Sequence, residues 1–347
     1  MKYSFTNDYS EGAHEKILEA IVESNRKQSS GYGCDDDCKE AVKKIKRELQ
    51  YEDCDIHFLV GGTQSNLVVI ANALRPHEAV IAVDSGHINV HETGAIEASG
   101  HKVIAVASVD GKLTCEELRK AFILHSDEHM VKPKMVYISN ATEVGTVYYK
   151  QELQELSALC HELGLYLFMD GARLGSALTA KDNDVTLLDI CRYTDVFYLG
   201  GTKNGALFGE AVVIINKELK KDFRYVMKQR GAMLAKGRLL GIQFDKLFED
   251  RLYFQLAKHA NDMAQKLQQC FLKNGYKLYV ASTTNQIFPI VDKKIYHQLQ
   301  KQYEFTKWCD IDFEHYALRL VTSWATPQTA VDEFCAYLTS ITVKTDA

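Results

Sequence analysis

The chain has 347 residues, 46% of them apolar and 25% charged, and 41 Lys and Arg against 46 Asp and Glu leave a net charge of −5. That length suggests about two domains of ordinary size, and the mildly acidic balance argues against a nucleic-acid partner. The longest apolar runs, such as Ala79 to Val83 and Ala211 to Ile215, fall far short of the ~20 residues that cross a bilayer. No apolar segment follows the N-terminal Met-Lys-Tyr, so a cytoplasmic protein with no membrane partner is expected.

From residue 56 onward, short β-branched or aromatic runs alternate with longer amphipathic stretches, the pattern of βα units feeding a parallel sheet. The predicted strands are Ile56 to Val60, Ala79 to Val83, Lys102 to Ala107, Met135 to Ile138, Tyr166 to Met169, Asp195 to Leu199 and Ala211 to Ile215. Their near-continuous apolar character fits a sheet covered on both faces. Leu67 to Leu74, Cys115 to Leu124 and Glu152 to Leu163 carry the three- and four-residue spacing of the covering helices. After Asn216 the pattern changes to long helical stretches, Lys217 to Met227 and Arg238 to Leu272, the second leading out of the large domain. A smaller α+β unit follows, with strands near Tyr276 to Val280, Gln286 to Val291, Thr306 to Ile311 and Ala317 to Thr322 and a closing helix from Gln328 to Ser340. The expected division is therefore 1–237 and 238–347. Nine cysteines without a CxxC pair read as reduced thiols, and Cys34 and Cys38 lack the further ligands that a zinc site needs.

Phe168-Met169-Asp170-Gly171-Ala172-Arg173 sets a carboxylate at the end of an apolar strand, where α/β sheets place ligand-facing groups, although such an Asp also serves as a helix N-cap. Tyr198-Leu199-Gly200-Gly201-Thr202-Lys203-Asn204-Gly205 surrounds one lysine with small residues, which suits either close approach by a ligand or a solvated turn. Gly61-Gly62-Thr63-Gln64-Ser65-Asn66 precedes a helix, whose free amides and dipole suit a phosphate, or simply a capped start. No GxxxxGK[ST] or GxGxxG occurs, so nucleoside triphosphates and dinucleotides lack their usual cradle. His87 and His91 stand at i,i+4, a spacing that on a helix brings two metal ligands to one face. No third ligand stands at a telling distance, and stacking of one imidazole on a flat cofactor is the alternative. No metal is assigned.

Taken together and in this order, these segments resemble the low-specificity L-threonine aldolase and β-eliminating lyase family of pyridoxal-phosphate enzymes. The resemblance begins at Phe5-Thr6-Asn7-Asp8 and runs through Gly31-Tyr32-Gly33-Cys34-Asp35-Asp36, Gly61-Gly62-Thr63 and Ser85-Gly86-His87. It continues through Thr142-Glu143-Val144-Gly145-Thr146-Val147-Tyr148, Asp170-Gly171-Ala172-Arg173 and Gly201-Thr202-Lys203-Asn204-Gly205, and ends near Leu318-Arg319-Leu320-Val321-Thr322. It implies an α/β, fold-type I, aspartate aminotransferase-like architecture: a large domain with a mainly parallel seven-stranded sheet and a small C-terminal α+β domain.

On that resemblance Lys203 forms a Schiff base with pyridoxal 5'-phosphate, and Asp170 pairs with the pyridinium nitrogen and keeps the ring an electron sink. Gly62 and Thr63 match the phosphate cradle, with Thr202 a further hydroxyl and Gln64 and Asn66 weaker members. His87 matches the imidazole stacked on the ring. Arg173, beside the cofactor, and Arg319 match the clamp on the substrate carboxylate, where a planar guanidinium fixes orientation. The implied activity is retro-aldol cleavage of L-threonine or L-allo-threonine to glycine and acetaldehyde.

Asn7 stands where relatives commonly carry a serine near the substrate carboxylate, and Ser323 where some carry histidine. The base for the β-hydroxyl is expected to be His87, His91 or a water between them. Lys228, Arg230 and Lys236 suit either a phosphate contact across a subunit interface or a solvated basic helix. The family builds its sites between subunits, so a homo-oligomer, dimer or tetramer, is expected. The competing readings are elimination or other α-carbon chemistry on another amino acid, and a binding protein that kept the fold. Lys203 and Asp170 together argue against the last.

Overall fold

The computed structural model describes residues 2–343. Its large sheet has seven strands in the spatial order Asp55–Leu59, Glu210–Ile214, Val196–Gly200, Tyr166–Asp170, Lys132–Ser139, Glu78–Val83 and Lys102–Val106. All seven coincide with predicted strands to within a few residues. Six run in one direction, and Glu210–Ile214 is antiparallel to both of its neighbours. Val196–Gly200 and Glu210–Ile214 are buried along their whole length. Separate apolar clusters cover the two faces, one including Ile81, Val136 and Phe197, the other Val80, Met135 and Tyr198. Side chains of successive strand residues point to opposite faces, so neighbours such as Phe197 and Tyr198 fall into different clusters.

Covering helices form where local chemistry starts them. Cys115–Leu124 begins with a capping box between Thr114 and Glu117, which satisfies two free amides reciprocally. Gly62–Ala73 starts earlier than its apolar pattern, directly after the strand Asp55–Leu59, and no side chain caps its first amides. Its opening glycine therefore lies at the edge of the sheet where the parallel strands end.

Two predicted helices are each broken. The apolar spacing runs through Arg238 to Leu272, but the chain forms Arg238–Leu247 and Leu252–Lys273. Asp250 and Arg251 take left-handed φ of 50° and 59° between them. The kink lets Tyr253 stack on Phe248, with ring centroids 5.0 Å apart, which a continuous helix would prevent because residues five apart do not share a face. Lys217 to Met227 likewise splits into Lys217–Lys220 and Phe223–Gln229 around Asp222, with φ 57°.

The smaller unit holds a four-stranded antiparallel sheet ordered Thr306–Asp310, His315–Val321, Gln286–Asp292 and Lys277–Val280. The helices Leu252–Lys273 and Gln328–Val343 pack with it around Phe271, Phe334 and Leu338. The N-terminal arm, expected with the large domain, crosses to this unit instead. Tyr3–Ser4 pairs in parallel with Tyr303–Glu304, and Phe5 joins the small core. Among the described residues no helix is long and apolar enough to cross a membrane.

Candidate active site

Ser139, Asp170 and Gly200 end adjacent parallel strands at one edge of the sheet, the position where open α/β sheets bind ligands. The strand ends approach so closely that a Cβ on Gly171 would lie 1.7 Å from Tyr198 O, and one on Gly200 2.4 Å from Ala172 O. Only glycine fits there. The contact brings the turn that carries Lys203 against the turn that carries Asp170 and Arg173.

A cavity of about 300 Å3 opens at this edge, lined by Gly62, Thr63, His87, Asp170, Arg173, Thr202 and Lys203, small for a ligand site but within range. Seven residues singled out in the sequence thus converge. Tyr9, Ser139, Glu143, Tyr198 and Glu210 also line it.

Asp170 is buried and receives the Tyr137 hydroxyl at 2.5 Å, Ala172 N–H at 2.9 Å and Asn66 Nδ2 at 3.2 Å. Burial pushes its carboxyl up, but the hydroxyls and the amide outweigh that and hold it below the ordinary value, so it is ionised at neutral pH. Tyr198 faces it closely enough to contribute, although among the described residues its hydroxyl makes no well-formed hydrogen bond. Lys203 keeps part of its surface open to the cavity. Burial, aided by the charge of Arg173, lowers its ammonium, while burial raises the neighbouring Glu210. A lysine desolvated beside another cation is a ready nucleophile toward carbonyls.

Around these two, Arg173 Nε and Nη2 donate to Asp8 Oδ2 and Oδ1 at 2.7 and 2.9 Å. Asn285 Nδ2 from the smaller unit donates to the same carboxylate at 2.9 Å. His87 Nδ1 lies 2.8 Å from Glu92 Oε1, which fixes the ring's orientation. Asn66 Nδ2 also donates to Glu92 Oε1 at 2.7 Å, so its two hydrogens join two buried carboxylates. Asn66 is itself fully buried and stands outside the cavity lining, behind these two acids.

Other expected residues stand outside the cavity lining. Asn7 Oδ1 accepts from Tyr9 N–H and Ser10 Oγ, closing a local turn, and Tyr9 reaches the cavity instead. Arg319 Nε and Nη2 donate to Gln286 Oε1 at 3.0 and 2.6 Å; burial, with Arg173 nearby, lowers it to about 10. His91 is exposed and lies beyond the short helix His87–Val90, its ring 5.5 Å from that of His87. Among the described residues no group of three or more His, Cys, Asp or Glu is arranged to hold a metal. Lys228, Arg230 and Lys236 do not line the cavity either; Lys228 Nζ sits 4.4 Å over the Tyr32 ring.

Pyridoxal phosphate fits what is present. The cavity holds a lowered lysine and an ionised carboxylate, and uncapped amides begin at Gly62. A Cβ on Gly62 would approach Tyr198 OH to 3.2 Å, so glycine keeps this corner open. The architecture and site define a fold-type I, aspartate aminotransferase-like pyridoxal-phosphate enzyme. An aspartate aminotransferase from Thermus thermophilus shares the fold, with TM-score 0.72 at 15% identity over 98% of this chain and 91% of that one.

Residues 9–294 match the family model described as beta-eliminating lyase, and the chain belongs to that family of pyridoxal-phosphate-dependent lyases. It is 32% identical to the low specificity L-threonine aldolase of Pseudomonas sp. over 97% of both chains. A solved structure of Leishmania major threonine aldolase matches with TM-score 0.96 and 48% identity, over 98% of this chain and 99% of that one.

Asp8, Glu92, Glu143 and Glu210 were not singled out as site residues from the sequence. Asp8 and Glu143 lie inside motifs quoted above, Glu92 follows His91, and Glu210 opens an otherwise apolar strand. For Glu210 an acid leading an apolar run was the available signal.

Proposed function

We propose that this chain cleaves the Cα–Cβ bond of L-threonine or L-allo-threonine, giving glycine and acetaldehyde. The observation that carries the reading is the convergence of Lys203, Asp170 and the uncapped Gly62–Ala73 helix start on one cavity. Lys203 supplies the amine that holds the cofactor as a Schiff base, and the bound ring supplies an electron sink for the breaking bond. Asp170 keeps the ring nitrogen protonated, while Gly62, Thr63 and Thr202 hold the phosphate. His87, steadied by Glu92, covers the ring face. Arg173 is held by Asp8 through Nε and Nη2, which leaves Nη1 for the substrate carboxylate, and Arg319 supplies a second cation. With the cofactor bound, fixing that carboxylate would decide which bond at the α-carbon is held ready to break.

The test is a visible spectrum of purified protein with added pyridoxal phosphate, with and without each threonine isomer, beside Lys203→Ala. A lysine-dependent band and acetaldehyde release from either isomer are expected. Absence of the band would refute the Lys203 assignment. A band without aldehyde would favour elimination on another amino acid, the chemistry in the family's name. The same reading expects a dimer or tetramer with shared sites, and sedimentation as a monomer at assay concentration would contradict it.

A further inference from the structure

Cleavage needs a group to take the β-hydroxyl proton, and the two histidines serve poorly. His91 is exposed and outside the cavity lining, and His87 Nδ1 is engaged by Glu92. Glu143 lines the same cavity as His87 and Asp170. Its Oε1 accepts from Ser139 Oγ at 2.7 Å and from His87 N–H at 3.1 Å. Its Oε2 is shielded from solvent and has no partner among the described residues. One oxygen thus fixes the carboxylate and the other is left over, an arrangement a purely structural acid does not need.

We propose that Glu143 is the catalytic base for the substrate's β-hydroxyl, a role that rests on the function proposed above. Oε2 takes the hydroxyl proton as the C–O bond becomes a carbonyl and the Cα–Cβ bond breaks, its electron pair remaining on the α-carbon. The aldehyde leaves, the α-carbon gains a proton to give glycine, and Glu143 returns its proton to water. No oxidant or reductant enters. Burial and the nearby Asp170 raise the Glu143 carboxyl, which strengthens it as a base. It is faced by Asp170, His87, Tyr137, Tyr148, Arg173 and Arg319. The two guanidiniums favour its ionised form.

The test separates two reactions of the cofactor-loaded enzyme. Exchange of the glycine α-hydrogen in D2O, followed by NMR, needs Lys203 and the ring but no β-hydroxyl base; threonine cleavage needs all three. For Glu143→Gln we expect about 100-fold slower cleavage, within the usual worth of a general base, and exchange changed by less than about threefold. Equal losses in both reactions would show that Glu143 only holds His87 and Ser139 in place, and unchanged cleavage would show that it takes no proton; either overturns the proposal. Ser139→Ala gives a second reading should Glu143→Gln fold poorly. Losing its donated hydrogen bond raises Glu143, so the acid limb of kcat/KM for threonine moves to higher pH. An unmoved limb overturns the proposal. Wild-type protein that exchanges glycine yet releases no aldehyde would instead refute the proposed function, and the base role with it.

Discussion

Asp8→Asn removes the carboxylate that grips Arg173 through two hydrogen bonds while leaving a side chain of nearly the same shape. The Asp8 side chain is 1% exposed. Burial pushes its carboxyl up, but the charges of Arg173 and then Lys203 outweigh this and draw it from 3.8 down to about 2. That drop corresponds to about 2 kcal/mol of folding stability. Leaving Arg173 without its counter-charge adds to this, so we expect a loss of about 3 kcal/mol at pH 7, the lower end for breaking a buried pair. Because the folded-state value is depressed, the contribution is complete above pH 3.8 and fades as pH falls toward 2. Urea unfolding of the cofactor-free protein, wild type beside Asp8→Asn, measures the difference at pH 7 and again near pH 3, where it should shrink. A loss below about 0.5 kcal/mol at pH 7, or one independent of pH, would refute the reasoning.

Gly62→Ala should leave folding stability unchanged or slightly raised, since alanine favours a helix, yet weaken pyridoxal phosphate binding about tenfold by crowding Tyr198 OH at 3.2 Å. Absorbance titration beside urea unfolding checks both halves. Asn66→Ala removes the donor shared by Glu92 and Asp170 and should cost about 1–3 kcal/mol at pH 7. Urea unfolding at pH 7 measures the loss, and a value below about 0.5 kcal/mol would contradict this account.

The large sheet was legible because its inner strands are buried on both faces and carry their own apolar signature; Val196–Gly200 and Glu210–Ile214 show it plainly. The orientation of Glu210–Ile214 was not legible, since an apolar run reads the same in either direction and antiparallel pairing is set by neighbours distant in sequence. The broken helix shows the converse limit. Three- and four-residue spacing persists through Glu249, Asp250 and Arg251, but the Phe248–Tyr253 stack favours the kink, a tertiary preference that local periodicity does not carry. The N-terminal arm misled for a related reason: Phe5 finds its apolar partners near residues 263–338, too far along the chain for any local pattern to indicate.

The site divides along the same physical line. Lys203, Asp170, Gly62 and His87 announce themselves because each sits in a short motif with an unusual local composition. The groups that tune them lie in or beside quoted motifs, but nothing local marks those roles, because their work is done across the fold. Asp8 meets Arg173 over 165 residues of chain, and Asn66 meets Asp170 over 104. Glu143 reaches His87 across 56. Each is an ordinary polar residue locally and becomes consequential only when burial strengthens its hydrogen bonds and charges. Substrate preference should therefore depend on this outer set at least as much as on the motif residues. Asp8 fixes how Arg173 is held at the cavity, and Glu143 stands on its wall with Oε2 unpartnered among the described residues, while in the proposed function Lys203 and Asp170 would serve every α-carbon reaction alike.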